Sequence, residues 1–214
     1  DDISLFRRLK DLVVAGRIVP VGGSYVEFDA NMPSGESMLR QLLYGQSYFQ
    51  EEFDMQSSIF WLPDTFGYSA QLPQILSEFN MPYFLSQKLS WNLFNKFPHS
   101  TFDWEGIDGS RVLAHFPPVD SYNSDASPGQ ILKSCENHKS QIVSNKSMLL
   151  FGHGDGGGGP AVSHLEQLAR LQHCDAMPII HLEDTPEQFF TSVAKDQQDS
   201  REKGFLPVVW VGEL

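Results

Sequence analysis

WLPDTFGYSAQLPQIL, residues 61–76, governs the reading of the whole chain. The apolar run Ile59, Phe60, Trp61, Leu62 reads as a buried strand, Pro63 and Gly67 mark a rigid turn, and a helical pattern begins near Ser69. Parallel α/β sheets keep their chemistry at the carboxyl ends of strands. Asp64 falls in that position. A second acid has the same setting, for Asp155 follows the apolar run Met148, Leu149, Leu150, Phe151 and precedes another helical pattern. An Asp after a strand can also simply cap the next helix. Two acids on two strand ends are nevertheless the raw material of a glycosidase or a metal-dependent hydrolase.

Outward from this stretch, helical and extended patterns alternate. An opening helix carries Leu5, Leu9, Leu12 and Val13, and a short strand is expected at 17–21. Ser34 caps the next helix, with Glu36 in its first turn and Met38, Leu39, Leu42, Leu43, Phe49 and Phe53 near the 3.6-residue period. Strands are expected at 58–62, 83–86, 147–151 and 179–182, and helices at 69–79, 129–143, 161–172 and 186–195. Residues 101–104 and 111–116 flank the turn Gly106-Ile107-Asp108-Gly109 as a hairpin. The order implies one α/β domain over residues 1–214, with a mainly parallel sheet and right-handed crossovers. The chain opens inside a helical pattern and stops in the strand-like VVWVGEL, so a partial domain truncated at both ends is expected.

With 41% hydrophobic residues and 16 phenylalanines, the chain has ample material for a core. Its net charge of −12 speaks against the nucleic-acid backbone as partner, which needs clustered Lys and Arg. No apolar run is long enough for a membrane span, and DDISLFRRLKDL lacks the order of a secretory signal. Cys135 and Cys174 make neither a disulfide framework nor a CxxC pair and are expected to be cytosolic thiols.

In FGHGDGGGGP, residues 151–160, four glycines after Asp155 free the backbone for close approach of a ligand, with Asp155 aimed into the cavity. A phosphate cradle is disfavoured because no Lys-Ser or Lys-Thr follows. Trp91, Phe94, Phe97, Phe102, Trp104, Phe116 and Tyr122 lie between the two acids. Sugars stack on such faces, although most of these rings are expected in the core. The seven histidines form no HxH or HxxxH pair; His153 lies close to Asp155 and His115 ends a strand.

Four segments together resemble the class II α-mannosidases of glycoside hydrolase family 38, nearest the cytosolic branch. They are VPVGGSYVEFDANMPSGESMLRQ (19–41), FWLPDTFGYSAQLPQIL (60–76), LSQKLSWNLFNKFPHSTFDWEGIDGSRVLAHFPP (85–118) and LLFGHGDGGGGP (149–160). The resemblance implies a partial seven-stranded, mostly parallel β/α barrel-like catalytic domain and a cytoplasmic, retaining hydrolase of terminal α-mannose. Its substrates would be mannose-containing oligosaccharides of mannose and free-oligosaccharide catabolism. It implies Asp64 as nucleophile and zinc contact, and Asp155 as general acid/base. It places Lys88 and Tyr122 near positions that contact the sugar, and Trp91, from the aromatic cluster, is expected as a further sugar contact. The two acids would converge about 5 to 5.5 Å apart, as retention needs, with Asp155 starting protonated. The cofactor would be zinc, or cobalt, with its remaining ligands outside these residues, in a His-x-Asp pair and a distal His. The chain by itself is therefore expected to bind zinc weakly and turn over little substrate. A homo-oligomer of the full-length protein is compatible with this.

Three rivals remain on the residues alone. A carbohydrate deacetylase would show histidines at helical spacing, which are absent. A non-catalytic carbohydrate-binding module would need the aromatics but not both acids. A catalytically inactive truncated product would share all these motifs.

Overall fold

A computed structural model describes residues 2–155, 158–182 and 184–214. Gly156 and Gly157, half of the four-glycine run, lie outside the described residues. The chain divides into two compact units. One takes in the residues up to Leu85 with Trp104–Val112 and Val211–Leu214; the other consists of Ser86–Asp103 and Leu113–Trp210.

In the first unit, α1 (Ile3–Val14) begins where the Asp2 carboxylate accepts the N–H groups of Ser4 and Leu5. The next helix, α2 (Gly35–Phe53), begins at Ser34 as its sequence demands, the hydroxyl accepting from the Ser37 N–H. An edge contact between Phe6 and Phe53 and an ion pair between Lys10 and Glu52 join α1 to α2. Gly45 of α2 lies directly against the backbone of Gly23 and Ser24, where no side chain fits. β1 (Ile59–Trp61) and β2 (Tyr83–Leu85) pair in parallel, Phe60 opposite Phe84, and α3 (Leu72–Glu78) joins them as a βαβ unit. Phe28, Phe60, Tyr68, Phe84 and Trp104 form one continuous aromatic core, with successive centroids 5.0 to 6.3 Å apart.

The remaining elements are β3 (Thr101–Glu105), β4 (Arg111–His115), α4 (Pro128–Asn137), α5 (Val162–Leu171), α6 (Pro186–Glu202) and β5 (Val209–Val211). The expected hairpin is present: Gly106 donates to Ser110 O and Phe116 to Ser100 O, so β3 and β4 run antiparallel. Bonds from Asp103 to Val208 O and from Gly212 to Glu105 O lay β5 parallel to β3. The five strands have the order β1-β2-β4-β3-β5 in a mostly parallel sheet. A seven-stranded barrel is not seen among the described residues.

Three expected strands do not form. Residues 17–21 and 179–182 hold none, and 147–151 contributes only an isolated parallel bridge between Ser124 and Phe151. The apolar side chains of the last two runs have a different use. Leu149, Phe151, Ile180 and Leu182 pack on the buried cluster of Ala126, Ile131 and Leu168, so apolar burial there needs no sheet partner. α4 stops early because His138 turns extended and buries its ring, with Nε2 2.9 Å from Ser144 O. Among the described residues no helix is long and apolar enough to cross a membrane. Cys135 and Cys174 are both free thiols.

Candidate functional site

Asp64 follows β1 at its carboxyl end, on a turn pinned from several sides. Its own N–H donates to Glu27 Oε1 at 2.7 Å, and the Thr65 hydroxyl donates to Phe28 O. The buried Tyr68 donates its hydroxyl to Leu62 O at 2.8 Å and exchanges backbone bonds of 2.6 and 3.0 Å with Leu214. Gln71, not Asp64, occupies the cap position of α3. The plain reading of Asp64 as a helix cap therefore fails, and its half-buried carboxylate belongs to a braced turn at a strand end.

The other four sequence-selected residues come together in the second unit. Lys88 begins a 3-10 turn, Lys88–Trp91, directly after β2. Its side chain is 4% exposed, yet its ammonium sits 3.9 Å from the Trp91 ring centre and 4.9 Å from that of Tyr122. Two aromatic faces stabilise a cation that burial would otherwise penalise. The Tyr122 hydroxyl in turn donates to Asp155 Oδ1 at 2.7 Å. Trp91, Lys88, Tyr122 and Asp155 thus form a continuous chain of contacts.

The glycine-rich loop makes this possible. His153 and Gly159 exchange backbone bonds of 2.9 and 3.2 Å in an antiparallel bridge, and Asp155 has a left-handed backbone at φ 53. A Cβ on Gly154 would stand 2.6 Å from Tyr122 Cε2, so glycine there lets the phenol pass close enough to reach Asp155. The structure also corrects the expectation that Asp155 ends a sheet strand: it is an exposed loop residue that accepts from a phenol.

Of the aromatics between the acids, Phe102, Trp104 and Phe116 are core, whereas Trp91 and Phe94 are 61% and 92% exposed. His115 is fully buried; its Nε2 accepts from the Met148 N–H and its Nδ1 lies 2.9 Å from the Thr101 hydroxyl. Burial, and secondarily His138, pushes its pKa down to about 3. Among the described residues no three His, Cys, Asp or Glu side chains gather as a metal site. Asp64 belongs to no such group among them.

A family model described as the glycosyl hydrolases family 38 N-terminal domain matches residues 1–213. The chain belongs to this family. Within it, alpha-mannosidase 2C1 of Mus musculus is 52% identical over 98% of the chain, and alpha-mannosidase G of Dictyostelium discoideum is 50% identical over the same share. An alpha-mannosidase of Saccharomyces cerevisiae is 42% identical over 91% of the chain. The chain spans about a fifth (19%) of the length of the first two. The crystal structure of an alpha-mannosidase from Enterococcus faecalis V583 superposes with a TM-score of 0.71 over 97% of the chain and 23% of its own, at 19% identity, which bears on the fold alone.

Two residues of the family segments escaped the sequence reading. Glu27, within 19–41, braces the Asp64 turn, and Gln87, within 85–118, is a buried amide beside Lys88. The quoted segments held both, but nothing in their spacing gave them a role.

Proposed function

We propose that this chain is part of a retaining α-mannosidase acting on terminal α-D-mannose of oligosaccharides in the cytoplasm. What supports the reading is the contact chain from Trp91 through Lys88 and Tyr122 to Asp155, found in a member of glycosyl hydrolases family 38. In a full-length protein the residues would complete a seven-stranded barrel-like catalytic domain.

Asp64 is the nucleophile. Its carboxylate attacks the anomeric carbon and the glycosidic oxygen leaves, giving a covalent mannosyl-enzyme. Asp155 supplies the proton to the departing oxygen and then takes one from the attacking water. With Tyr122 donating to Oδ1, Oδ2 is the oxygen available to carry that proton. Trp91 offers its exposed face to the sugar ring, Lys88 offers a donor to its hydroxyls, and the Tyr122 oxygen, whose proton goes to Asp155, offers an acceptor. Zinc, or cobalt, would orient sugar hydroxyls with Asp64 among its ligands.

A slow-reacting fluorinated mannosyl substrate tests this in the full-length protein. Mass spectrometry should find the adduct on the peptide containing Asp64, and Asp64→Asn should show none. An adduct of equal yield in the variant would remove Asp64 from its role.

A further inference from the structure

Segment 22–30 runs beside β1 and the turn that carries Asp64. Gly22 donates to Ile59 O, the Thr65 hydroxyl donates to Phe28 O, and Ala30 bridges Tyr68 in parallel. In each of these contacts segment 22–30 takes part through its main chain, whose place the fold fixes. Asp64 itself has a side-chain acceptor as well. Its N–H donates at 2.7 Å to Oε1 of Glu27, 37 residues away in sequence.

Satisfying one N–H is the bland use of this bond, and it accounts for the bond poorly. Asp64 is half-buried and Glu27 is exposed. A half-buried donor can turn to water, whereas fixing a glutamate gives up as much rotamer freedom as almost any side chain loses. Among the described residues Glu27 has no second hydrogen bond or ion pair, so no other contact explains its ordering. The bond does have a directional consequence. A peptide unit is planar, so anchoring the Asp64 N–H fixes the Pro63–Asp64 plane, and the Asp64 side chain departs from that plane after a single backbone torsion. The proline ring restricts the same peptide from the other side through its locked φ. Moving reacting atoms by about 1 Å costs on the order of a hundredfold in rate, so the setting of this plane bears on chemistry.

We propose that Glu27 is a positioning residue: its carboxylate holds the Asp64 peptide so that the Asp64 side chain is aimed at the anomeric carbon. The proposal rests on Asp64 being the nucleophile of the mannosidase reading. The test uses the full-length protein and a fluorinated mannosyl fluoride, from which fluoride leaves as an Asp64 oxygen bonds to the anomeric carbon. Two quantities are read, the first-order rate constant of adduct formation at saturation and the concentration that half-saturates it. A first-order constant counts competent molecules only, so a merely structural loss lowers the yield and leaves the constant unmoved. Glu27→Ala should lower the constant about tenfold to a hundredfold, with half-saturation changed less than about threefold. Glu27→Gln keeps an oxygen at the same reach and should stay within about threefold of the natural protein. Glu27→Asp keeps the charge but falls one methylene short, and should resemble Glu27→Ala. An unchanged constant in Glu27→Ala, or a Glu27→Gln as slow as Glu27→Ala, would refute the positioning role and leave Asp64 as nucleophile. An adduct of equal yield in Asp64→Asn would instead bring down the assignment of Asp64, and this proposal with it.

Discussion

At the scale of single residues, the hydroxyl of Tyr122 is the group whose removal is most informative. It touches Asp155 directly, and the ring of Tyr122 shares the Lys88 ammonium with Trp91. In the full-length protein Tyr122→Phe should lower kcat about tenfold with little change in KM, the worth of about one hydrogen bond. A raised KM with kcat intact would make Tyr122 a sugar contact only. Asp64 and Asp155 stood out in sequence because apolar runs and glycines frame them, Trp91 stood out as one of the clustered aromatics, and Lys88 and Tyr122 took their roles from family likeness. Glu27 could not be read at all: it bonds the backbone of Asp64 across a long sequence separation, and such a contact leaves no periodic trace.

The helices and the five strands of the sheet were legible; three further apolar runs that form no strand were misread. Ser34 capping α2 and Gly106 and Ser110 closing the β3–β4 turn are local chemistry, visible in neighbouring residues. The runs at 147–151 and 179–182 carry the same apolar content as β1, and only the cluster around Ile131 and Leu168 decides that they pack without pairing. α2 offers the sharpest test at this scale. Alanine ordinarily favours a helix over glycine by about 1 kcal/mol. At Gly45 its Cβ would meet the Gly23 carbonyl and stand 2.7 Å from Ser24 Cα, backbone that has no rotamer with which to yield. Gly45→Ala should therefore destabilise the chain by roughly 1–3 kcal/mol, as overpacking does, measurable as a lower urea midpoint. An unchanged or raised midpoint would show that the 22–24 segment moves aside without cost.

For the molecule as a whole, buried histidine sets the response to acid. The folded-state pKa of His115, about 3, lies below its usual 6.5, because burial, and secondarily His138, disfavours the charged ring. Between those values the unfolded chain binds a proton that the folded chain refuses. Stability from this group is complete above pH 6.5 and declines as pH falls toward 3, by an amount on the order of a few kcal/mol. His138, lowered by its own burial, acts in the same direction. Thermal melts between pH 7.5 and 4.5 should show a falling Tm, with a shallower slope in His115→Gln. Equal slopes would mean that this ring does not govern the acid response.

The pairing of Tyr68 with Leu214 has a consequence for synthesis. The bend that carries Asp64 exchanges two main-chain bonds with residue 214, and Trp104 donates its indole N–H to Gly212 O. A ribosome delivers residue 68 long before residue 214, so the nascent bend waits, only partly braced, until nearly all of this sequence has emerged. The acid proposed to attack sugar thus sits on one of the last corners of its unit to be fastened.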